Sequence, residues 1–144
     1  MGRALKNSPN IEYYIELKPA VVEAYFAFRT PRKEGKREIS ADDFNSVAFE
    51  GTIILSGTRK IALETIVILT LHDAGSDKRT GGLLQKRKNG TFELFLYIKQ
   101  ELFFRIFDYI RDGTIKYVRA FGNELYRGSA AIYDTDFSFS LDQG

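Results

Sequence analysis

The sequence predicts a mainly β protein of the α+β kind. We expect an antiparallel β-sandwich or an open barrel of about seven or eight strands, with one helix at about residues 100–112 that bridges an end or covers a face. Most of the chain alternates apolar and polar residues with a period of two, which is typical of half-buried strands. An Asn89-Gly90 pair divides two such stretches and marks a tight hairpin. From Leu102 to Ile110, the apolar residues instead follow helical spacing.

The first part of the chain predicts strands separated by polar segments. Residues 11–17 alternate as a half-buried strand, Pro19 interrupts the pattern, and residues 21–29 resume it with β-branched and aromatic side chains. The charged stretch 31–38 is predicted to be a loop. Residues 40–43 are predicted to form a turn or a single helical turn.

The middle of the chain predicts the centre of the sheet. Residues 47–55 alternate regularly, so they are predicted to form a strand with one buried face. Residues 61–71 carry apolar side chains on both faces, which predicts a central strand that is covered on both sides. Residues 83–88 and 91–98 flank Asn89-Gly90 and form the two strands of the predicted hairpin.

The last part predicts the helix and two further strands. Gly113 suits the left-handed position just after a helix, but no residue of the preferred N-cap types stands at the helix start. A strand at 114–121 and a turn at Gly122-Asn123 follow. The final strand, 129–141, changes phase along its length, and one extra residue near 133–136, as in a β-bulge, would restore the alternation.

Length and composition fit one domain. The chain has 144 residues, 44% of them hydrophobic and 28% charged, so we expect a flexible tail at residues 1–10 and a single β-rich domain at residues 11–144. The absence of cysteine excludes disulfides, thiolate nucleophiles and cysteine-bound metals. A net charge of +2 gives no overall field that would attract nucleic acid. Since neither a secretory signal nor a membrane-spanning run is found, we expect a cytoplasmic protein, and we expect no cofactor.

Few side chains point to catalysis. His72 and Asp73 are the candidates for a general base and its orienting carboxylate, but no nucleophile motif accompanies this single imidazole. Asp134 and Asp136 would share one face of a strand, where they could hold a hard cation. A small metal-dependent hydrolase around His72 is therefore one hypothesis, although a strand-end turn at His72 and solvated turn or edge carboxylates are the favoured explanation of these residues.

Two loops are rich in basic residues and predict a second possible site. If these loops converged, they would form a cationic rim able to bind phosphates, and the protein would be a nucleic-acid-associated accessory protein. Neighbouring acidic residues dilute this charge. The candidate residues are Arg32, Lys33, Arg37, Lys78, Arg79, Arg87 and Lys88.

The aromatic content, 14%, is high, and it comes entirely from Phe and Tyr. Phe95 and Tyr97 fall on the strand face opposite the apolar one, and Tyr109 falls at the edge of the helix stripe, so each is either packed under another element or exposed in a contact surface. Aromatic residues are enriched at protein interfaces. The favoured hypothesis is a non-enzymatic interaction module that binds a protein partner or assembles with itself as a homo-oligomer.

Overall fold

The computed structural model describes residues 11–27, 30–39, 44–73 and 81–140. The predicted tail at 1–10 and the predicted turn at 40–43 lie outside these ranges. The described elements, in chain order, are β1 (Ile11–Ala27), β2 (Arg32–Glu34), β3 (Arg37–Ile39), β4 (Phe44–Ser56), β5 (Ile66–Asp73), β6 (Gly81–Lys86), β7 (Phe92–Ile98), α1 (Gln100–Arg111), β8 (Tyr117–Gly122) and β9 (Ser129–Ser138).

Seven of these strands close into a barrel in the order β1-β4-β5-β7-β6-β9-β8, and β8 pairs with β1 to complete the ring. The mainly β class with one helix is confirmed, and of the two predicted architectures the structure shows the barrel, in closed form. All pairs are antiparallel except β5 and β7, which run parallel. The parallel pair arises because β7 inserts between β5 and β6, the two strands that precede it.

The interior of the barrel is filled by the inward-facing side chains of the alternating strands. On β7, for example, Phe92, Leu94, Leu96 and Ile98 are buried, while the residues between them are half-buried. This period of two is the one expected for a sheet with a single apolar face. It explains why the strand predictions from the sequence are largely confirmed.

The helix α1 closes one end of the barrel, which we call the helix end. It begins directly after β7 and leads to the start of β8, and its Phe103 and Ile110 side chains are completely buried. Lys99 occupies the N-cap position without a side-chain hydrogen bond, whereas Gly113 has a φ of 84° just after the helix. Both ends of the predicted helix are therefore confirmed.

The opposite end, which we call the hairpin end, is closed by two loops. Ile61 of the β4–β5 loop and Leu125 of the β8–β9 loop are buried, and the Lys60 ammonium donates to the Leu125 carbonyl oxygen at 2.7 Å. Inside the barrel, the Tyr13 hydroxyl donates to the carbonyl oxygen of Asn123 at 3.0 Å. Burial, together with the nearby Glu124 carboxylate, raises the pKa of Tyr13 to about 12.

Two predicted strand boundaries need correction. The β1 strand runs through Pro19 without a break. Pro19 lies beyond the six residues that pair with β8, and it falls where the register with β4 shifts, between Leu17 and Val21. Proline is tolerated at such an edge. Conversely, the predicted strand at 61–71 begins only at Ile66, because Glu64 has a φ of 70° and its amide donates to the Ile53 carbonyl oxygen.

Two predicted irregularities are confirmed. The β8–β9 register shifts between Phe121 and Gly122, which leaves Tyr133 as the extra residue of a bulge. The hairpin at Asn89-Gly90 is also present, but only Gly90 has a positive φ. The Gly90 amide donates to the carbonyl oxygen of Arg87, so the connection is a longer turn than a two-residue one.

A buried polar pair interrupts the apolar interior near the helix end. The Asn45 side-chain amide donates to a carboxylate oxygen of Asp73 at 2.9 Å, and both residues are buried. A buried carboxylate that loses a hydrogen bond is destabilising by about 1–3 kcal/mol. We therefore expect Asn45→Ala to lower the free energy of unfolding by this amount in urea titrations. Gln85→Ala, at an exposed amide, should change it by less than about 0.5 kcal/mol, and equal effects of the two variants would contradict this role.

The raised pKa of Tyr13 predicts a specific loss of stability at high pH. Because the folded pKa lies above the unfolded value of 10.0, the contribution of this group is complete below pH 10 and is lost as pH rises towards 12. Tyr13→Phe lacks the hydroxyl hydrogen bond and should be less stable than the wild type by about 1 kcal/mol at pH 8. The order should reverse near pH 11.5 in denaturant titrations, and a constant difference across this range would refute the prediction.

Candidate functional site

His72 and Asp73 do not share a site. They are adjacent in β5, so their side chains lie on opposite faces of the sheet. Asp73 is buried inside the barrel with Asn45, whereas the His72 ring stacks on Phe95 of β7 on the outer face, with 4.1 Å between ring centroids. Burial lowers the pKa of His72, an effect that Glu93 partly offsets.

Asp134 and Asp136 lie on the outer face of β9, as predicted, but Asp136 already has a cationic partner. The Arg119 guanidinium contacts its carboxylate at 2.7 Å and also donates to the Tyr14 hydroxyl, and both bonds raise the pKa of Arg119. His72 is three strand positions away in the ring, about 14 Å along the sheet. Within the described ranges, no group of three metal-ligating side chains is found.

The two basic loops lie at opposite ends of the barrel. Arg32, Lys33 and Arg37 lie on the β2–β3 hairpin, which connects Ala27 to Phe44 at the helix end. Arg87 and Lys88 lie in the β6–β7 turn at the hairpin end, beside a groove of about 470 Å³.

Lys78 and Arg79 lie outside the described residues. Acidic partners reduce the charge of both loops, since Arg32 pairs with Glu34 at 3.0 Å and Arg87 pairs with Glu93 at 2.6 Å. The described residues of the two loops therefore do not converge into one cationic rim.

The three predicted interface aromatics divide between two surfaces. Phe95 and Tyr97 lie together on the outer face of β7, half-buried and 5.2 Å apart between ring centroids. Tyr109 is exposed on α1, next to the segment that enters β8. Since β7 and β8 are three positions apart in the ring, Tyr109 does not extend the surface around Phe95.

Among the described residues, the longest exposed apolar segment is the second part of β1, residues 18–27, which we call the arm. Among the described strands, β1 pairs with both β4 and β8 only up to Glu16, and the arm pairs with β4 alone. Nine successive residues, Lys18–Phe26, are exposed, although seven of them are apolar or aromatic. A contiguous exposed apolar surface of this kind is rare in proteins that remain monomeric.

The arm extends beyond the helix end and packs across α1. Phe26 stacks on Phe104 with 6.1 Å between ring centroids and contacts Phe107 at 6.3 Å, while Phe107 also contacts Phe49 at 6.0 Å. Phe26 remains 43% exposed and Phe104 remains 48% exposed. We call these two rings, together with the exposed Val21 and Val22 further along the arm, the arm–helix patch.

The sequence contained an indication of this patch. Residues 19–27 carry apolar side chains at both odd and even positions, so neither face of that strand is polar. Such a pattern is also typical of a central strand covered on both sides. Only the length of β8, whose ladder with β1 ends at Glu16, shows that no described strand other than β4 pairs with this segment.

Comparisons with protein-family models, with curated proteins and with solved structures found no match. In the described part of the chain, no helix has the length and apolar character required to cross a membrane.

The contact between the arm and α1 predicts a local effect of Phe107→Ala. Loss of this half-buried ring removes the contacts to Phe26 and Phe49 and should destabilise the protein by about 2 kcal/mol. Amide hydrogen exchange in Glu23–Ala27 should accelerate more than exchange in β7. Phe139→Ala, at an aromatic residue that is already exposed, should change neither quantity, and uniform acceleration in both strands would contradict the local packing role.

Proposed function

We propose that this protein is a non-enzymatic interaction module that binds a protein partner, in the first place another copy of itself, through the arm–helix patch. One observation carries the proposal: an aromatic and aliphatic surface is built from two different elements and remains exposed. Val22 is 56% exposed, and Phe26 and Phe104 are each about half exposed although their rings stack on one another. A position in the cytoplasm and assembly as a homo-oligomer belong to the same proposal.

Physical chemistry supports this use of the patch. Removing apolar surface from water is favourable by roughly 25 cal/mol per Å², so the uncovered rings and valines supply a driving force for association. Phe26 and Phe104 hold each other in place, which reduces the side-chain entropy that binding would otherwise remove. A central group of ordered aromatic side chains is also where binding energy concentrates in protein interfaces.

The proposal predicts concentration-dependent association of the whole chain. Static light scattering should show a rising average mass as the protein concentration increases to about 1 mM, with a transient dimer as the expected species. Phe104→Ser removes one of the two stacked rings and should weaken association roughly tenfold or more. Thermal unfolding should change little because Phe104 lies at the margin of the helix and not in the core.

Tyr126→Ser is the matched control. Tyr126 is 70% exposed in the β8–β9 turn, so the substitution removes a similar aromatic area from another surface. It should leave association unchanged. A strictly monomeric wild type at all concentrations, or equal weakening by both variants, would count against the arm–helix patch as the binding surface.

A further inference from the structure

A second surface lies at the hairpin end of the barrel. The groove of about 470 Å³ beside the β6–β7 turn has a volume within the usual range of ligand sites, and polar and charged side chains line it. The lining residues are Gln85, Lys86, Arg87, Lys88, Asn89 and Glu93. Three of them are cations and one is an anion, so the groove is positive although the whole chain is nearly neutral.

Two of the three cations in the groove are available to a ligand. The Glu93 carboxylate is bonded to the Arg87 guanidinium at 2.6 Å and to the Thr70 hydroxyl at 2.9 Å. Lys86 and Lys88, in contrast, have no acidic partner in the part of the chain that the structure describes. Both lysines are exposed, so their ammonium groups can bind an anion without breaking an ion pair.

The β8–β9 turn adds a third available cation at the border of the groove. The Lys86 amide donates to the Gly128 carbonyl oxygen at 2.7 Å, which places Arg127 beside Lys86. The Arg127 guanidinium lies over the Tyr126 ring, 5.2 Å from its centroid. Among the described residues it has no acidic partner.

The acidic residue of the same loop is bonded on the side of the β4–β5 loop. The Glu124 carboxylate accepts a hydrogen bond from the Thr58 hydroxyl at 3.3 Å. The Lys60 ammonium is bonded to the carbonyl oxygen of Leu125, the next residue, so a cation accompanies this carboxylate.

Arg127 stands in a backbone conformation that disfavours arginine. Its φ is 54°, that of Gly128 is 81°, and the backbones of Tyr126 and Ser129 exchange two hydrogen bonds across them. A two-residue turn with positive φ at both positions favours asparagine, aspartate or glycine, because the Cβ of other residues is strained there. Strained residues of this kind are concentrated at functional sites.

The Tyr126 ring lies on the same face of the sheet as the groove. Tyr126 pairs with Ser129, and Ser129 pairs with Gln85 of the groove lining. Opposed residues of antiparallel strands project to the same side, and two strand spacings separate Tyr126 from Gln85 by about 10 Å. The ring is 70% exposed, so it is accessible for stacking.

A basic groove beside an exposed aromatic ring specifies the chemistry of its ligand. Phosphate groups bind lysine and arginine, and unpaired bases stack on aromatic rings. We propose that the hairpin end binds single-stranded nucleic acid, with phosphates on Lys86, Lys88 and Arg127 and one base on Tyr126. An acidic peptide would satisfy the cations but would not use the ring in this way. The site goes beyond the proposed function and does not depend on it, because the arm–helix patch lies at the opposite end of the barrel.

The first test measures the contribution of the two lysines. Fluorescence anisotropy of a labelled thymidine oligonucleotide of about 12 nucleotides should show binding by the whole chain at about 50 mM salt. The slope of log K against log salt should be about −2, since three phosphate contacts contribute roughly −0.7 each. The double variant Lys86→Ala, Lys88→Ala should bind roughly tenfold or more weakly, with a slope near about −0.7.

The matched control for the lysines is the double variant Lys33→Ala, Lys36→Ala. It removes the same charge from the β2–β3 hairpin at the helix end and should bind like the wild type.

The second test examines the β8–β9 turn. Tyr126→Ser should weaken binding about 5- to 100-fold without changing the salt slope, and Tyr126→Phe, which retains the ring, should bind like the wild type. Arg127→Asn places a residue suited to positive φ in the turn, so it should raise the urea midpoint of unfolding and still weaken binding. A merely structural role of Arg127 would not produce this opposition.

The outcomes decide the proposal. Weaker binding by the groove and turn variants, with the control unchanged, supports the site. No binding at protein concentrations up to about 1 mM, or equal weakening by both lysine pairs, overturns it. Unchanged affinity in Tyr126→Ser, or equal affinity for a duplex of the same length, overturns the assignment to single strands.

Discussion

The organisation of this molecule depends on a mismatch in strand length. β1 has 17 residues, whereas β8, the strand that closes the barrel against it, has six. The ladder between β1 and β8 runs from Ile11 to Glu16, and the Leu17 amide adds one more hydrogen bond, to the Lys116 carbonyl oxygen. Beyond that point β4 is the one described strand that pairs with β1, so among the described strands the remainder of β1 forms a two-stranded extension of the barrel wall.

The helix compensates for part of this mismatch. α1 must connect β7 to β8 across the helix end, and its amphipathic pattern buries Phe103 and Ile110 in the barrel opening. Its flank then supports the extension through Phe104 and Phe107. The same helix therefore seals the core and contacts the arm, while Phe26 and Phe104 remain partly exposed.

The polar residues of the interior form hydrogen bonds that stabilise the fold, and they are not arranged as a catalytic group. Asn45 and Asp73 are bonded to each other at the helix end, and the Tyr13 hydroxyl is bonded to a loop carbonyl near the hairpin end. The strand period separates His72 from Asp73, and the ring order separates His72 from Asp134 and Asp136. The side chains that could act as acids, bases or metal ligands are thus distributed over different surfaces. In contrast, the exposed aromatic rings of the arm and α1, Phe26 and Phe104, stack on one another.

The amino-acid sequence by itself determined the β-rich class, most strands, the helix with its C-terminal glycine, and the bulge in β9, because each depends on local periodicity and turn chemistry. Only the tertiary structure decided that β7 inserts beside β5, that β1 passes through Pro19, and that residues 61–65 form a loop. It also decided that the described residues of the basic loops lie at opposite ends and that Lys18–Phe26 is exposed. These features depend on which strands become neighbours and where their pairing stops, and such long-range register leaves no trace in the hydrophobic pattern of a single segment.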